Sequence, residues 1–293
     1  MPPSASSVST AVDRLENAGT LDPVVAAVRQ IVRRVVKPGK VRDALHGVWL
    51  GHPLHPALTD VPVGTWTAAA ALDLFPGTGR VSSTLIAAGC VGYLPAVAAG
   101  WTDWSELQEQ QQRVGLVHAA TVAAAFTCYA ASLAARAGGS SIRGRAWSYA
   151  GLAFVTAGAY LGGHLTFRQG AGVNRAENVP HDFPDGWQLL APLDDLPDGE
   201  LVRRTVGDVA LLVVRRGGHV DVLADNCSHL GARLSEGTFR ATAGQGCVVC
   251  PWHGSTFQLA DGAVVHGPAT APMPRFETRV TNGVVSIMLP GAG

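Results

Sequence analysis

Three stretches of 22 residues each, 81–102, 114–135 and 146–167, contain no Asp, Glu, Lys or Arg. As helices rising 1.5 Å per residue, each is long enough to cross the ~30 Å hydrocarbon core of a bilayer. Three such runs in succession are hard to bury in a soluble chain of 293 residues. All three are rich in Ala and Gly, which lets helices approach closely within lipid. Residues 57–75, ALTDVPVGTWTAAAALDLF, read as a further span that carries Asp60 and Asp73, the latter next to Pro76-Gly77 and expected to reach the interface. The pattern predicts an all-α four-helix transmembrane bundle over residues 45–168, with Trp101 and Trp104 as interfacial anchors. No internal repeat is visible in the sequence.

Composition agrees with a membrane component. Charged residues make up 15% of the chain, against about 25% in ordinary soluble proteins. The formal net charge is zero, which leaves no basic footprint for nucleic acid. The opening MPPSASSVST lacks a basic segment followed by an apolar one, so no cleavable leader is expected. Within a tail of residues 1–44, positions 24–36 place apolar residues on one helical face and Arg29, Arg33 and Arg34 on the other. That is the pattern of a basic amphipathic helix lying on lipid. With four spans, nine Lys and Arg residues fall on the side of the termini and four on the other. This bias puts both termini in the cytoplasm of a multi-pass cell-membrane protein, although the basic 136–145 loop dissents.

After Phe167 the character changes. Residues 169–186 are polar and rich in Gly, a linker, and residues 187–293 alternate short β-type runs with turns. LLVVRR and HVDVLA flank Gly217-Gly218, and FETRV and VVSIML flank Thr281-Asn282-Gly283, two hairpin signals. The expectation is a second, all-β domain of antiparallel sheets.

That domain holds Cys227-Ser228-His229 and Cys250-Pro251-Trp252-His253. Each group offers one thiolate and one imidazole. Zinc sites more often group like with like, though four such ligands leave zinc open as a reading. A mixed arrangement suits a dinuclear cluster, one iron on thiolates and the other on neutral imidazoles. NCSHLGA and CPWHGSTF resemble the two ligand boxes of Rieske [2Fe–2S] proteins, and the resemblance covers residues 187–293. It implies that Cys227 and Cys250 hold the inner iron and His229 and His253 the outer one, with a small subdomain binding the cluster. GPATAPMP, 267–274, is similar to the family's proline loop. In respiratory members each box has a further cysteine, and the two form a disulfide. The matching positions here are Ala232 and Trp252, so the chain is similar to the ferredoxin and oxygenase branch. Ser255 matches a hydroxyl that tunes the cluster, while Phe257 stands where the respiratory branch has a tyrosine. Fewer hydrogen bonds to the cluster imply a low-to-middle Rieske potential. Cys247 sits three positions before Cys250, on the opposite face of a strand, and is expected to be a buried structural thiol.

The helical half carries chemistry as well. GHPLHPALTDVPVG, 51–64, resembles the signature of a bacterial four-helix membrane family with no assigned function. In an up-and-down bundle, His52, His55, Asp60, Asp103, His118 and His164 all fall toward one membrane face. Ionisable groups within spans are functional suspects. Such a cluster could hold haem b, another metal or a quinone. Only 40 residues and one histidine, His266, follow His253. A two-His, one-carboxylate iron domain does not fit there, so the chain is not expected to be a Rieske oxygenase. The sequence therefore predicts a membrane-anchored carrier of single electrons between a soluble donor or acceptor protein and the membrane. A redox sensor that uses the cluster as a switch is the alternative.

Overall fold

The computed structural model describes residues 7–242 and 245–290. The chain forms two compact units, one built from residues up to Lys37 together with Leu54–Ala171, the other from Pro38–Pro53 together with Gly172 onward. In chain order the helices are α1 (Ser7–Glu16), α2 (Asp22–Val35), α3 (Lys40–His46), α4 (Leu54–Leu72), α5 (Gly79–Trp104), α6 (Glu109–Ala137), α7 (Ser141–Gly163) and α8 (Val179–Asp182).

The first unit contains the four long helices the sequence predicts, α4 to α7, but they are not alone. Helices α1 and α2 join them, so the helical region holds more than four helices. The added helices dock through charge. Arg113 of α6 donates to both carboxylate oxygens of Asp22, at 2.7 and 2.9 Å, and to the Glu16 carbonyl. Arg33 pairs at 3.0 Å with Glu106, whose side chain is buried. Val24, Ile31 and Val35 of α2 remain exposed. Among the described helices, α5 and α6 are long and apolar enough to cross a membrane by length and composition.

Helix α4 packs on α5 and α7, and α6 packs on the same two, which puts α4 and α6 at diagonal corners of the bundle. The packing reveals a repeat that the sequence hides. His55 and His118, Trp66 and Tyr129, and Asp73 and Arg136 each stand 63 positions apart. Each pair also meets in space. The Trp66 and Tyr129 rings stack with centres 4.4 Å apart, and Arg136 donates to Asp73 at 2.5 Å. Contact between equivalent residues is the mark of a two-fold relation between the hairpins α4–α5 and α6–α7. Glycines on the second helix of each hairpin extend the relation at an offset of 62 positions. A Cβ at Gly89 would collide with Trp66 and one at Gly151 with Tyr129, at 2.4 and 2.8 Å.

Two expectations fail here. Asp73 is buried on Arg136 and does not reach the interface. Trp104 is buried too, donating from its indole nitrogen to the Gln112 carbonyl at 2.8 Å, so packing and not lipid holds it. The helical run expected to continue to Phe167 changes at His164, where a π-helical turn, His164–Arg168, takes over.

The second unit is all-antiparallel. Its strands are β1 (Gln188–Pro192), β2 (Leu201–Val206), β3 (Val209–Arg216), β4 (His219–Ala224), β5 (Thr238–Thr242), β6 (Gln245–Val249), β7 (Thr256–Gln258), β8 (Val264–His266), β9 (Arg275–Thr281) and β10 (Val284–Met288). Six form one sheet in the order β1-β10-β9-β4-β3-β2, and four form another, β5-β6-β7-β8. Both predicted hairpins are present. At the second, Asn282 and Gly283 take φ of 52° and 75°, the double positive φ that matches strand twist. Residues 38–53 pack on this unit and not on the helices they connect in sequence.

The buried Asp73–Arg136 pair yields a stability test. Asp73→Ala strands a buried guanidinium and should cost about 3–5 kcal/mol. Asp73→Leu combined with Arg136→Leu should recover most of that loss in thermal unfolding of the detergent-solubilised protein.

Candidate metal centre

Two loops of the β unit share one hydrogen-bond plan. In the first, between β4 and β5, the Cys227 N–H donates to the Ala232 carbonyl and the Gly231 N–H returns to the Cys227 carbonyl, both at 2.8 Å. In the second, between β6 and β7, Cys250 N–H donates to Ser255 O at 2.8 Å and Gly254 N–H to Cys250 O at 3.2 Å. Gly231 and Gly254 take φ of 79° and 75°, the left-handed backbone that glycine adopts without penalty. Each loop thus turns a cysteine inward and a histidine toward the apex.

Cys227 and Cys250 are buried in one apolar cluster with Leu212, Val248, Phe257 and Met273. Their side chains hydrogen-bond each other, and neither forms a disulfide. Within the pair Cys250 ionises more readily, because the Cys227 thiol donates to it and the N–H groups of Trp252 and His253 point at it. The hydrogen bond to Cys250, then burial and the Cys250 charge, hold the Cys227 thiol above the ordinary cysteine range. His229 and His253 meet edge-to-face with ring centres 5.1 Å apart. Burial, the neighbouring His253 and His46 push the His229 pKa down to about 3, so its imidazole is neutral, as a metal ligand must be.

Among the described residues no three His, Cys, Asp or Glu side chains converge on a single metal position. The four predicted ligands divide into a thiol pair and an imidazole pair. One tetrahedral zinc would need all four together, whereas a two-iron cluster needs this division. A buried hydroxyl supports the fit. Ser255 is fully buried, and its oxygen accepts from the Ala269 N–H at 2.9 Å. Among the described residues its proton has no protein acceptor, which suits donation to a cluster sulfide.

Ala232 is buried and Trp252 is 54% exposed, at the positions where a disulfide would need cysteines. Phe257 lies in the core. Cys247 pairs with Arg240 and Gln258 in the small sheet, outside the core cluster that holds Val248 and Cys250. The loop 267–274 closes over the first box, with Ser228 Oγ donating to Ala271 O at 2.7 Å and Ser228 N–H reaching Met273 Sδ at 3.4 Å.

Several supports escaped the sequence reading. Asp225 is fully buried. It accepts from Ser235 N–H at 2.7 Å, from Ser235 Oγ at 3.0 Å and from Arg203 at 3.1 Å. Asp43 accepts from the Gly267 N–H at 3.0 Å and bonds the His266 ring at 2.9 Å, while His46 is buried against Gly267. Thus residues 38–53 brace the proline loop. The signal was weak, since Asp43 and His46 lie over 170 positions from the nearest box.

The helical candidates separate. His55 and His118 are neighbours, with ring centres 6.4 Å apart. His164 is engaged by Glu16 at 2.5 Å. His52 belongs to the β unit and bonds the Pro53 carbonyl at 3.1 Å. Asp60 is exposed on α4, and Asp103 is half-buried on α5. The single cluster expected at one face is therefore reduced to one histidine pair.

Two substitutions test the β-unit site. Ser255→Ala should lower the cluster potential in a redox titration while the EPR line shape persists, since a donor that stabilises the reduced, more negative state is lost. Asp225→Ala should destabilise the first box by about 3 kcal/mol and raise cluster loss during purification, read as iron per chain.

Comparison with known proteins agrees with this geometry. Residues 186–277 match the family described as Rieske [2Fe-2S] domain, and residues 51–175 match the family described as predicted membrane protein (DUF2231). The anthranilate 1,2-dioxygenase ferredoxin subunit of Burkholderia cepacia is 33% identical over 101 residues, 34% of this chain and 90% of the relative. The 3-phenylpropionate/cinnamic acid dioxygenase ferredoxin subunit of Escherichia coli K12 is 36% identical over 101 residues, covering 34% and 92%. A solved structure, the ferredoxin of carbazole 1,9a-dioxygenase from Nocardioides aromaticivorans IC177, is 27% identical, covers 36% of this chain and 99% of that one, and gives a TM-score of 0.33. With its paired Cys and His loops, the chain belongs to the Rieske [2Fe–2S] family through residues 186–277, joined in one polypeptide to a DUF2231 predicted membrane protein domain.

Proposed function

We propose that this chain is a membrane-anchored, ferredoxin-type Rieske protein that carries single electrons between a soluble redox partner and the membrane. The observation that carries the reading is the half-exposed imidazole pair, His229 and His253, beside a Trp252 that is 54% exposed. An exposed aromatic next to a ligand histidine offers a docking surface for a partner protein. The curated relatives are ferredoxin subunits of dioxygenases, which supports a protein as the partner. In this reading α4 to α7 cross the cell membrane, in contact with lipid, and the β unit faces the cytoplasm.

A [2Fe–2S] cluster on Cys227, Cys250, His229 and His253 would supply one-electron chemistry at a potential raised by its imidazole ligands. The chain's residues set the conditions. Burial keeps the thiols from water. The Trp252 and His253 N–H groups favour Cys250 as thiolate. Ser255 Oγ is placed to donate a hydrogen bond, and the 267–274 loop keeps solvent from the first box.

One observation favours the sensor alternative. Residues 38–53 brace the proline loop through Asp43, and in sequence they connect α2 to α4. In that reading a change at the apex is relayed through the strap. One experiment decides. Full-length protein in membranes is reduced and then given a quinone or an oxidised partner ferredoxin reductase or oxygenase. Reoxidation of the cluster EPR signal on a turnover timescale, abolished in Cys227→Ser, is the expected result. A signal that persists unchanged with every acceptor would reject the carrier and leave the sensor.

A further inference from the structure

The helical unit contains a second site that owes nothing to the cluster. His55 of α4 and His118 of α6 stand at diagonal corners of the bundle and are equivalent under its two-fold relation. Their surroundings match. His55 Nδ1 lies 2.8 Å from the Ala96 carbonyl of α5, and His118 Nδ1 lies 2.8 Å from the Gly158 carbonyl of α7. A carbonyl only accepts, so both Nδ1 atoms carry the proton and both Nε2 atoms carry the lone pair. Among the described residues neither Nε2 has a protein hydrogen-bond partner. Each ring also rests on a glycine. A Cβ on Gly100 would come 2.8 Å from the His55 ring and one on Gly162 would come 3.3 Å from the His118 ring.

The two ring centres are 6.4 Å apart and their planes cross at 89°. With metal–nitrogen bonds of roughly 2.0 Å and about 1.1 Å from nitrogen to ring centre, two imidazoles on opposite sides of one metal stand about 6.3 Å apart. A donor hydrogen bond from the far ring nitrogen to a carbonyl is the usual way in which a ligating histidine is held. The choice of metal follows from what is missing. A bare zinc or non-haem iron site is built from three or more protein ligands, yet among the described residues no third His, Cys, Asp or Glu converges here. Two imidazoles suit a metal whose other four positions are filled by its own macrocycle.

We propose that His55 and His118 are the axial ligands of a b-type haem in the helical unit. This goes beyond the carrier reading and does not depend on it. Both residues are half-buried. Small residues back both rings beside Nδ1, Ala96 and Gly100 behind His55 and Gly158 and Gly162 behind His118, so each ring is seated against its neighbouring helix. Of the other histidine candidates, His164 is held by Glu16 and His52 bonds the Pro53 carbonyl.

The test uses the full chain, expressed with excess iron and haem precursor, purified in detergent and titrated with hemin. The expected result is a stoichiometric six-coordinate low-spin haem spectrum with a sharp α band on reduction. His55→Ala and His118→Ala should each abolish the low-spin form. Should an alanine variant fail to fold, His118→Met keeps a ligand and should retain haem with a shifted spectrum and potential. His52→Ala and His164→Ala should leave the spectrum unchanged. The Cys227→Ser/Cys250→Ser protein should lose the cluster EPR signal yet keep the haem, which separates failure here from failure of the carrier reading. No haem uptake by protein that shows its cluster signal would overturn the proposal. So would haem binding that survives loss of both His55 and His118, or a stoichiometric bare metal at the site.

Discussion

Close approach at glycine is the constraint on which both units depend. In the bundle, the absence of a Cβ at Gly89, Gly151, Gly100 and Gly162 makes room for Trp66, Tyr129, His55 and His118. Such close approach lets van der Waals contact and interhelical hydrogen bonds hold the helices together. In the β unit a Cβ at Gly262 would lie 2.1 Å from the Met273 carbonyl, and one at Gly237 would lie 2.3 Å from the Val249 carbonyl. Those approaches seat the proline loop and the small sheet around the first and second boxes. The same geometric allowance therefore positions both sets of histidines.

Polar satisfaction follows from that packing. Once the hairpins close, the rings of His55 and His118 come within reach of backbone carbonyls, and Asp73 comes within reach of Arg136. A buried charge without a partner costs several kcal/mol, and the buried carboxylates of Asp73 and Glu106 are each met by an arginine. The π-helical turn at His164 fits this logic. Tightness is relaxed at the end of α7, and His164 turns to Glu16 of α1. Likewise in the β unit, Asp225 is tolerated at full burial only because Ser235 and Arg203 surround it.

The Cys and His boxes were legible because their chemistry is local. Each box is a short turn whose ligands and glycine lie within five residues, so spacing encodes geometry. The long helices were legible because uncharged length alone implies them. The two-fold repeat was not, since the equivalent stretches HPALTDVPVGTW and HAATVAAAFTCY share little beyond a histidine and an alanine. What repeats is the shape of a contact, aromatic against glycine and imidazole against carbonyl. Trp104 misled for a related reason: an indole near a helix end reads as an interface anchor until its partner carbonyl is seen.

The sequence by itself determined that a helical region with three long charge-free stretches is joined to an all-β domain with two Cys/His boxes. It determined too that bracing cysteines are absent at Ala232 and Trp252. These are properties of length, charge and short spacing, which the linear chain carries directly. Only the tertiary structure decided which of six ionisable candidates in the helical half meet. It joined His55 to His118, gave His164 to Glu16 and placed His52 with the β unit. It also brought Asp43 and His46 to the proline loop. Helix rotation and diagonal placement settle such contacts, and those depend on how all the small residues pack at once.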